Sequence, residues 1–285
     1  MRKRVMKWLV CMLLGAGLCL PAASESAEPC ADLAAVRERL RACVAEQAEK
    51  LYLPCEEAVY QELMADDATL LYAMLGGSGV ADYQLLCHAP SASLLLSRIR
   101  YYPGMRIARA VAMEREETLS ADESAALAAA RRVAREALRD TPLETERALH
   151  ERLASDIAYA PQHAPGRIGR GDTAIGALLD GQADCDGYAD AFYLTATLAG
   201  LQAEYQFGFG ITDGRAVPHQ WNRICLSGAW YFVDCCWDRA VQADGSGKAR
   251  LRYFNLGADW ATQSYRWESR AHDQPIAEKT DAALR

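Results

Sequence analysis

Three residues of this chain have the types and surroundings that nucleophilic chemistry needs: Cys185, His219 and Asp234. The cysteine stands in Q-A-D-C-D-G-Y-A-D-A-F, the histidine in P-H-Q-W-N-R-I and the aspartate in W-Y-F-V-D-C-C-W-D. A thiolate attacks a carbonyl carbon, and an imidazole titrating near neutral pH moves the protons. A carboxylate fixes the imidazole's tautomer. Each residue also has a plainer reading. A cysteine commonly packs as a small apolar side chain or half of a disulfide, and a histidine or aspartate on a strand is commonly structural. Order and context favour the chemical reading, because the cysteine opens a helix and the other two follow on adjacent strands.

The elements that must position the trio can be read locally. Asp184 is a suitable N-cap, so Cys185 begins a helix whose apolar side is Tyr188, Ala191, Phe192, Thr195 and Leu198, closed by Gly200. Free N–H groups and the positive end of the helix dipole favour thiolate there and could hold an oxyanion. Asp184 and Asp186 oppose this, since flanking carboxylates disfavour a second negative charge. Alternation at Ala203, Tyr205, Phe207, Phe209 and Ile211 predicts a strand, and Asp213-Gly214 a turn. His219–Leu226 and Trp230–Trp237 flank Ser227-Gly228 as a hairpin. With a two-residue loop Leu226 pairs with Ala229, Trp221 lies opposite Asp234 and His219 opposite Cys236. His219 and Asp234 are then diagonal neighbours on one face, roughly 7–8 Å apart at the backbone. A slip of one residue would separate them.

The segment resembles the core of the transglutaminase-like superfamily, a branch of the papain-like cysteine enzymes. The resemblance rests on D-C-D-G-Y-A-D-A-F, A-G-L-Q-A, H-Q-W-N and W-Y-F-V-D-C-C-W-D. Leu143–Tyr159 looks like the helix before that core, and Arg252–Gly257 with His272 like its closing strand and tail. The likeness covers roughly residues 141–275. It implies an α+β fold, with a catalytic helix packed on an antiparallel sheet and an α-rich N-terminal extension. By position it assigns the nucleophile to Cys185, the base to His219 and the carboxylate to Asp234. Gln220 replaces the small residue usual after the histidine. Gln182, Tyr159 and Trp221 are candidates for a side-chain oxyanion donor.

With 285 residues and 51% hydrophobic content, the chain can bury a large core. Met1–Ala23 has a basic start, an apolar stretch too short to span a membrane comfortably and small residues at its end, as secretory signals do. Its removal would delete four positive charges and no acids, taking the net charge from −7 to −11. So acidic a protein is a poor partner for nucleic acid or an anionic membrane. Secretion or a periplasmic location is expected, and eight of the ten cysteines would remain there, four of them before residue 90 and able to form two disulfides. The chain contains no C-x-x-C or H-E-x-x-H, and no acidic cluster arranged for calcium, so neither metal nor cofactor is expected.

Three regions are expected: a signal at 1–23, a mainly helical region with a β-hairpin at 24–140, and a catalytic domain at 141–285. In the second, Pro29–Ala48 and Cys55–Leu75 read as helices, and Leu94–Tyr102 with Met105–Met113 as a hairpin about Pro103-Gly104. Ser120/Glu123 and Thr141/Glu144 form capping boxes. Pro161–Gly171 reads as a loop, His150 and His163 as surface residues, and Tyr253–Leu256 as a further strand. The expected reaction is acyl transfer from a peptide or glutamine amide, with a peptide or protein substrate and hydrolysis as the outcome. The rivals are a protein cross-linking transferase and an inactive binding or scaffold module using Trp221, Trp230 and Trp237.

Overall fold

The computed structural model describes residues 27–161, 168–239 and 250–284. The expected signal at 1–23 and His163 lie outside the described residues, as does most of the Pro161–Gly171 loop. The chain divides into two compact units. One runs to Tyr101 and takes in Arg270–Asp273; the other comprises Tyr102–Ser269 and the residues from Gln274 onward. Among the described residues no helix is long and apolar enough to cross a membrane.

In the first unit, Asp32 caps α1 (Leu33–Glu46) by accepting the Ala35 N–H at 2.8 Å, and Val36, Leu40 and Cys43 are buried. Then come β1 (Lys50–Pro54), α2 (Glu57–Gly77), β2 (Val80–His88) and β3 (Ser93–Tyr101). The three strands form an antiparallel sheet in the order β1-β3-β2. The hairpin therefore differs from the sequence reading. β3 pairs with β2, and Met105–Ala112 belongs to α3 (Pro103–Ala112) of the second unit. Pro103 is at the first helical position, where its missing N–H is not needed, and Ile107, Ala108 and Ala110 are buried at helical spacing. Both a turn and a helix start accept Pro-Gly, and burial selected the helix.

The expected disulfides are not formed, since all eight cysteines of the described residues are free thiols. Cys30 and Cys55 are partners in an isolated β-bridge. Cys43 instead lies 3.3 Å from Tyr101 Oη and Cys87 4.0 Å from Met64 Sδ.

In the second unit α4 (Ala121–Ala137) and α5 (Pro142–Asp156) both begin with the capping boxes read from the sequence. A short parallel ladder joins β4 (Ala158–Tyr159) to β5 (Gln182–Ala183), immediately before α6 (Cys185–Leu198). Four antiparallel strands follow: β6 (Gln202–Thr212), β7 (Arg215–Leu226), β8 (Ala229–Val233) and, after α7 (Ala258–Ala261), β9 (Tyr265–Trp267). Their order is β8-β7-β6-β9. Helix α6 packs on this sheet, with Tyr188, Phe192 and Leu194 in one core with Leu149, Leu153, Ile224 and Val233. Asn222 on β7 donates to the Ala189 carbonyl of α6 at 3.1 Å. This is the expected α+β arrangement.

Three local readings are corrected. β8 ends at Val233, so Cys235–Trp237 lie in a turn closed by the Asp238 N–H on the Asp234 carbonyl at 3.2 Å. Tyr253–Leu256 contributes only an isolated bridge from Leu256 to Phe232, and the strand that completes the sheet is β9. His150 is fully buried, because its face of α5 meets the segment after β8.

Candidate active site

The site is built where α6, β7 and the turn after β8 meet. Asp184 Oδ1 accepts the N–H groups of Asp186 at 3.0 Å and Gly187 at 3.3 Å, which starts α6 at Cys185. Gly187 is required here, because a Cβ at that position would lie 2.3 Å from the Gly171 carbonyl oxygen. Cys185 itself is partly exposed. Its sulfur receives the backbone N–H of Gln220, the residue after His219 on β7.

The β7–β8 hairpin has the expected register from Leu226↔Ala229 to Asn222↔Val233. Ser227 and Gly228 have φ of 51° and 83°, the left-handed pair of a type I′ turn. That register carries Asp234 to His219, with Nε2 and Oδ2 2.7 Å apart. His219 is 5% exposed and Asp234 2%. Two further donors hold the carboxylate: Tyr265 Oη on Oδ2 at 2.9 Å, and the Trp237 N–H on Oδ1 at 2.9 Å. The imidazole stacks against Trp237, Trp221 and Tyr265, with ring centroids 4.6, 5.7 and 6.2 Å away. Nε2 is thus committed to Asp234, and Nδ1 is the nitrogen left for proton transfer.

Two influences act on the thiol. Burial above all, then the charges of Asp186 and Asp184 and the neighbouring Cys236, push its pKa well up, while the Gln220 N–H lowers it. Asp184 itself is pushed up to about 9, by burial first and then by Asp186 and Asp172. The helix start is less open to an oxyanion than the sequence suggested, since Asp184 occupies two of its N–H groups. The Cys185 N–H remains. Of the side-chain candidates, Gln182 is exposed, and Trp221 is buried with no partner for Nε1. Tyr159 lies beside Ala183 in the β4–β5 ladder, is 42% exposed and feels the charge of Cys185. Burial first, then that charge, raises its phenol to about 12, so it remains a donor at neutral pH. The Arg239 guanidinium stands over its ring at 4.7 Å.

The sequence model of the transglutaminase-like superfamily matches residues 128–235, a stretch that includes Cys185, His219 and Asp234. The chain carries a transglutaminase-like domain. The human kyphoscoliosis peptidase is 31% identical over 105 residues, which cover 34% of this chain and 16% of that protein. The chain thus spans a small part of the curated relative that it matches. A solved structure described as a TGase shares 13% identity, covering 65% of this chain and 50% of that one, with a TM-score of 0.36. The periplasmic domain of TgpA from Pseudomonas aeruginosa shares 19% identity, covering 51% and 53%, with a TM-score of 0.31.

Sequence reasoning missed two parts of the candidate site. Tyr265 carries no signal in the motifs around the trio, and its hydroxyl closes on Asp234 because β9 pairs with β6. Gln220 reads in the sequence only as a departure, whereas the Gln220 backbone touches the sulfur. Adjacency to His219 was the one available signal.

Proposed function

We propose that the domain is a cysteine-dependent hydrolase of peptide or glutamine-side-chain amides, with Cys185, His219 and Asp234 as its triad. The observation that carries this reading is the bond from His219 Nε2 to Asp234 Oδ2, on the strand whose next N–H points at the Cys185 sulfur. His219 takes the thiol proton at Nδ1 as the sulfur attacks the amide carbon. The Cys185 N–H, and the Tyr159 phenol where it reaches, stabilise the oxyanion. The imidazolium then protonates the leaving amine, and a thioester remains. Water, deprotonated by His219, attacks the thioester, and the proton returns to sulfur as the acid leaves. Asp234, held by three donors, keeps the imidazole oriented throughout.

Export of the protein, and peptides or proteins as its substrates, belong to the same reading. The inactive-module rival keeps only Trp237 of its stated surface, because Trp221 is 1% exposed and Trp230 7%. The test is a peptide library incubated with the full chain and read by mass spectrometry. Cleaved or deamidated products that vanish with Cys185→Ala are expected. Incorporation of a labelled primary amine into glutamine peptides would reassign the domain to cross-linking. Peptide binding without turnover in the wild type would reassign it to a binding module.

A further inference from the structure

The thiol also belongs to a closed polar ring that the triad does not use. The Cys185 S–H points at Asp186 Oδ1, 3.6 Å away. Asp186 Oδ2 lies 3.1 Å from Tyr102 Oη, and the same hydroxyl lies 3.1 Å from Gln220 Oε1. The Gln220 backbone N–H returns to the Cys185 sulfur. Tyr102 has one hydroxyl proton and cannot donate to both acceptors. Gln220 Nε2, meanwhile, is buried with no partner. Turning the Gln220 amide by 180° resolves this. Nε2 then donates to Tyr102 Oη, and the hydroxyl proton goes to Asp186.

The ring is anchored on both sides. Tyr102 is 3% exposed and directly precedes α3. The Gly104 N–H of that helix meets both carboxylate oxygens of Asp190 on α6 at 3.0 Å, and a Cβ at Gly104 would lie 2.4 Å from Asp190 Oδ1. Asp190 also accepts the Tyr205 hydroxyl at 2.7 Å, and Tyr205 stacks on Tyr102 with centroids 5.5 Å apart. The two acids that flank the thiol therefore do different work. Asp184 caps the helix, and a proton on it meets the need of Asp172 Oδ1, a buried acceptor otherwise without a donor. Asp186 alone holds a carboxylate oxygen against the S–H.

We infer that Asp186, held by Tyr102 and Gln220, is a positioning residue that keeps the proton on the Cys185 sulfur in the resting site, until His219 removes it during reaction. The inference rests on Cys185 being the nucleophile. The other ionisable groups that act with the thiol are Asp184 on its own helix, Cys236 in the turn after β8 and Tyr159 on β4. Tyr159 is a neutral donor, and His219, next to the Gln220 whose N–H meets the sulfur, is bonded to Asp234.

The test is the pH profile of iodoacetamide alkylation at Cys185, in which the thiolate displaces iodide and forms a C–S bond. It is followed by peptide mapping on the full chain. Replacing Asp186 by Asn removes the charge and keeps the size. A fall of about one unit in the titration midpoint multiplies thiolate tenfold at neutral pH, and the weaker nucleophilicity of a more acidic thiol reduces this to roughly threefold faster labelling. Tyr102→Phe should shift the profile in the same direction by less, and it carries the test if Asp186→Asn does not fold. Asp186→Glu should stay close to wild type. An Asp186→Asn or Tyr102→Phe profile that superimposes on wild type, or moves to higher pH, overturns the inference. His219→Ala separates the two ideas. If it slows labelling while Asp186→Asn changes nothing, the triad stands and the restraint falls. If it also changes nothing, the triad itself fails.

Discussion

The second unit holds two Cys-His-Asp constellations. In one, His219 Nε2 meets Asp234 Oδ2 at 2.7 Å, on the strand whose Gln220 N–H meets the partly exposed Cys185. In the other, His150 Nε2 meets Asp238 Oδ2 at 3.1 Å, and His150 Nδ1 lies 3.4 Å from the Cys235 sulfur. The residue types and the role of Nε2 match. What differs is closure. His150 and Asp238 are fully buried, Nε2 also meets the Arg250 carbonyl at 3.2 Å, and Asp238 accepts the N–H groups of Arg252 and Tyr253 at 2.9 and 2.8 Å. Every bond in that set pins chain segments together. In the Cys185 set the histidine keeps a nitrogen uncommitted, and the cysteine at the start of α6 is partly exposed. Triad composition therefore does not by itself single out the candidate site; an uncommitted imidazole nitrogen and a partly exposed cysteine do.

The largest effect that would break this comparison comes from exchanging the roles of the two histidines. His219→Ala should lower peptide hydrolysis by about 10²- to 10⁴-fold in the folded fraction, beyond the loss of stability that comes from unpairing the buried Asp234. His150→Ala should strip a buried partner from Asp238 and cost about 3 kcal/mol or more, roughly a 10 °C fall in melting temperature. Its folded fraction should keep most of its activity. Thermal melts and kcat/KM on both variants decide the matter, and loss of activity at full stability in His150→Ala would erase the distinction.

A smaller effect sharpens it. Tyr265→Phe removes one donor from Asp234 and should lower kcat/KM about fivefold, as loss of roughly 1 kcal/mol would.

A separate effect is on stability against pH. Glu146 lies in the buried set, with Oε2 accepting Asn255 Nδ2 at 3.0 Å, and burial pushes its carboxyl up to about 8. The folded state therefore binds this proton more tightly than the unfolded state. The associated stability is complete below the usual carboxyl range and disappears as pH rises through about 8. Glu146→Gln should flatten denaturant-derived stability between pH 5 and 8, and an unchanged slope would place the proton elsewhere.

Local rules were legible in the chain wherever near neighbours decide. The two capping boxes, the Asp184 cap and the Ser227-Gly228 turn depend on residues within a few positions of each other. That turn was enough to bring His219 to Asp234, because hairpin register follows from loop length. The family resemblance likewise lay in contiguous motifs around Cys185, His219 and Asp234.

Tertiary structure decided the rest. Pro103-Gly104 suits a turn or a helix start equally, and only its packing beside Asp190 made it a helix. His150 looks like any helical histidine until Asp238 and the Arg250 carbonyl close on its ring. Tyr265 reaches Asp234, and Tyr102 reaches Asp186, across sequence separations of 31 and 84 residues. The sequence alone determined which residues could form a reactive thiol site. Which acid lies against that thiol, and which of two similar trios keeps a partly exposed cysteine, depend on long-range packing, because burial and the direction of each hydrogen bond exist only in the assembled fold.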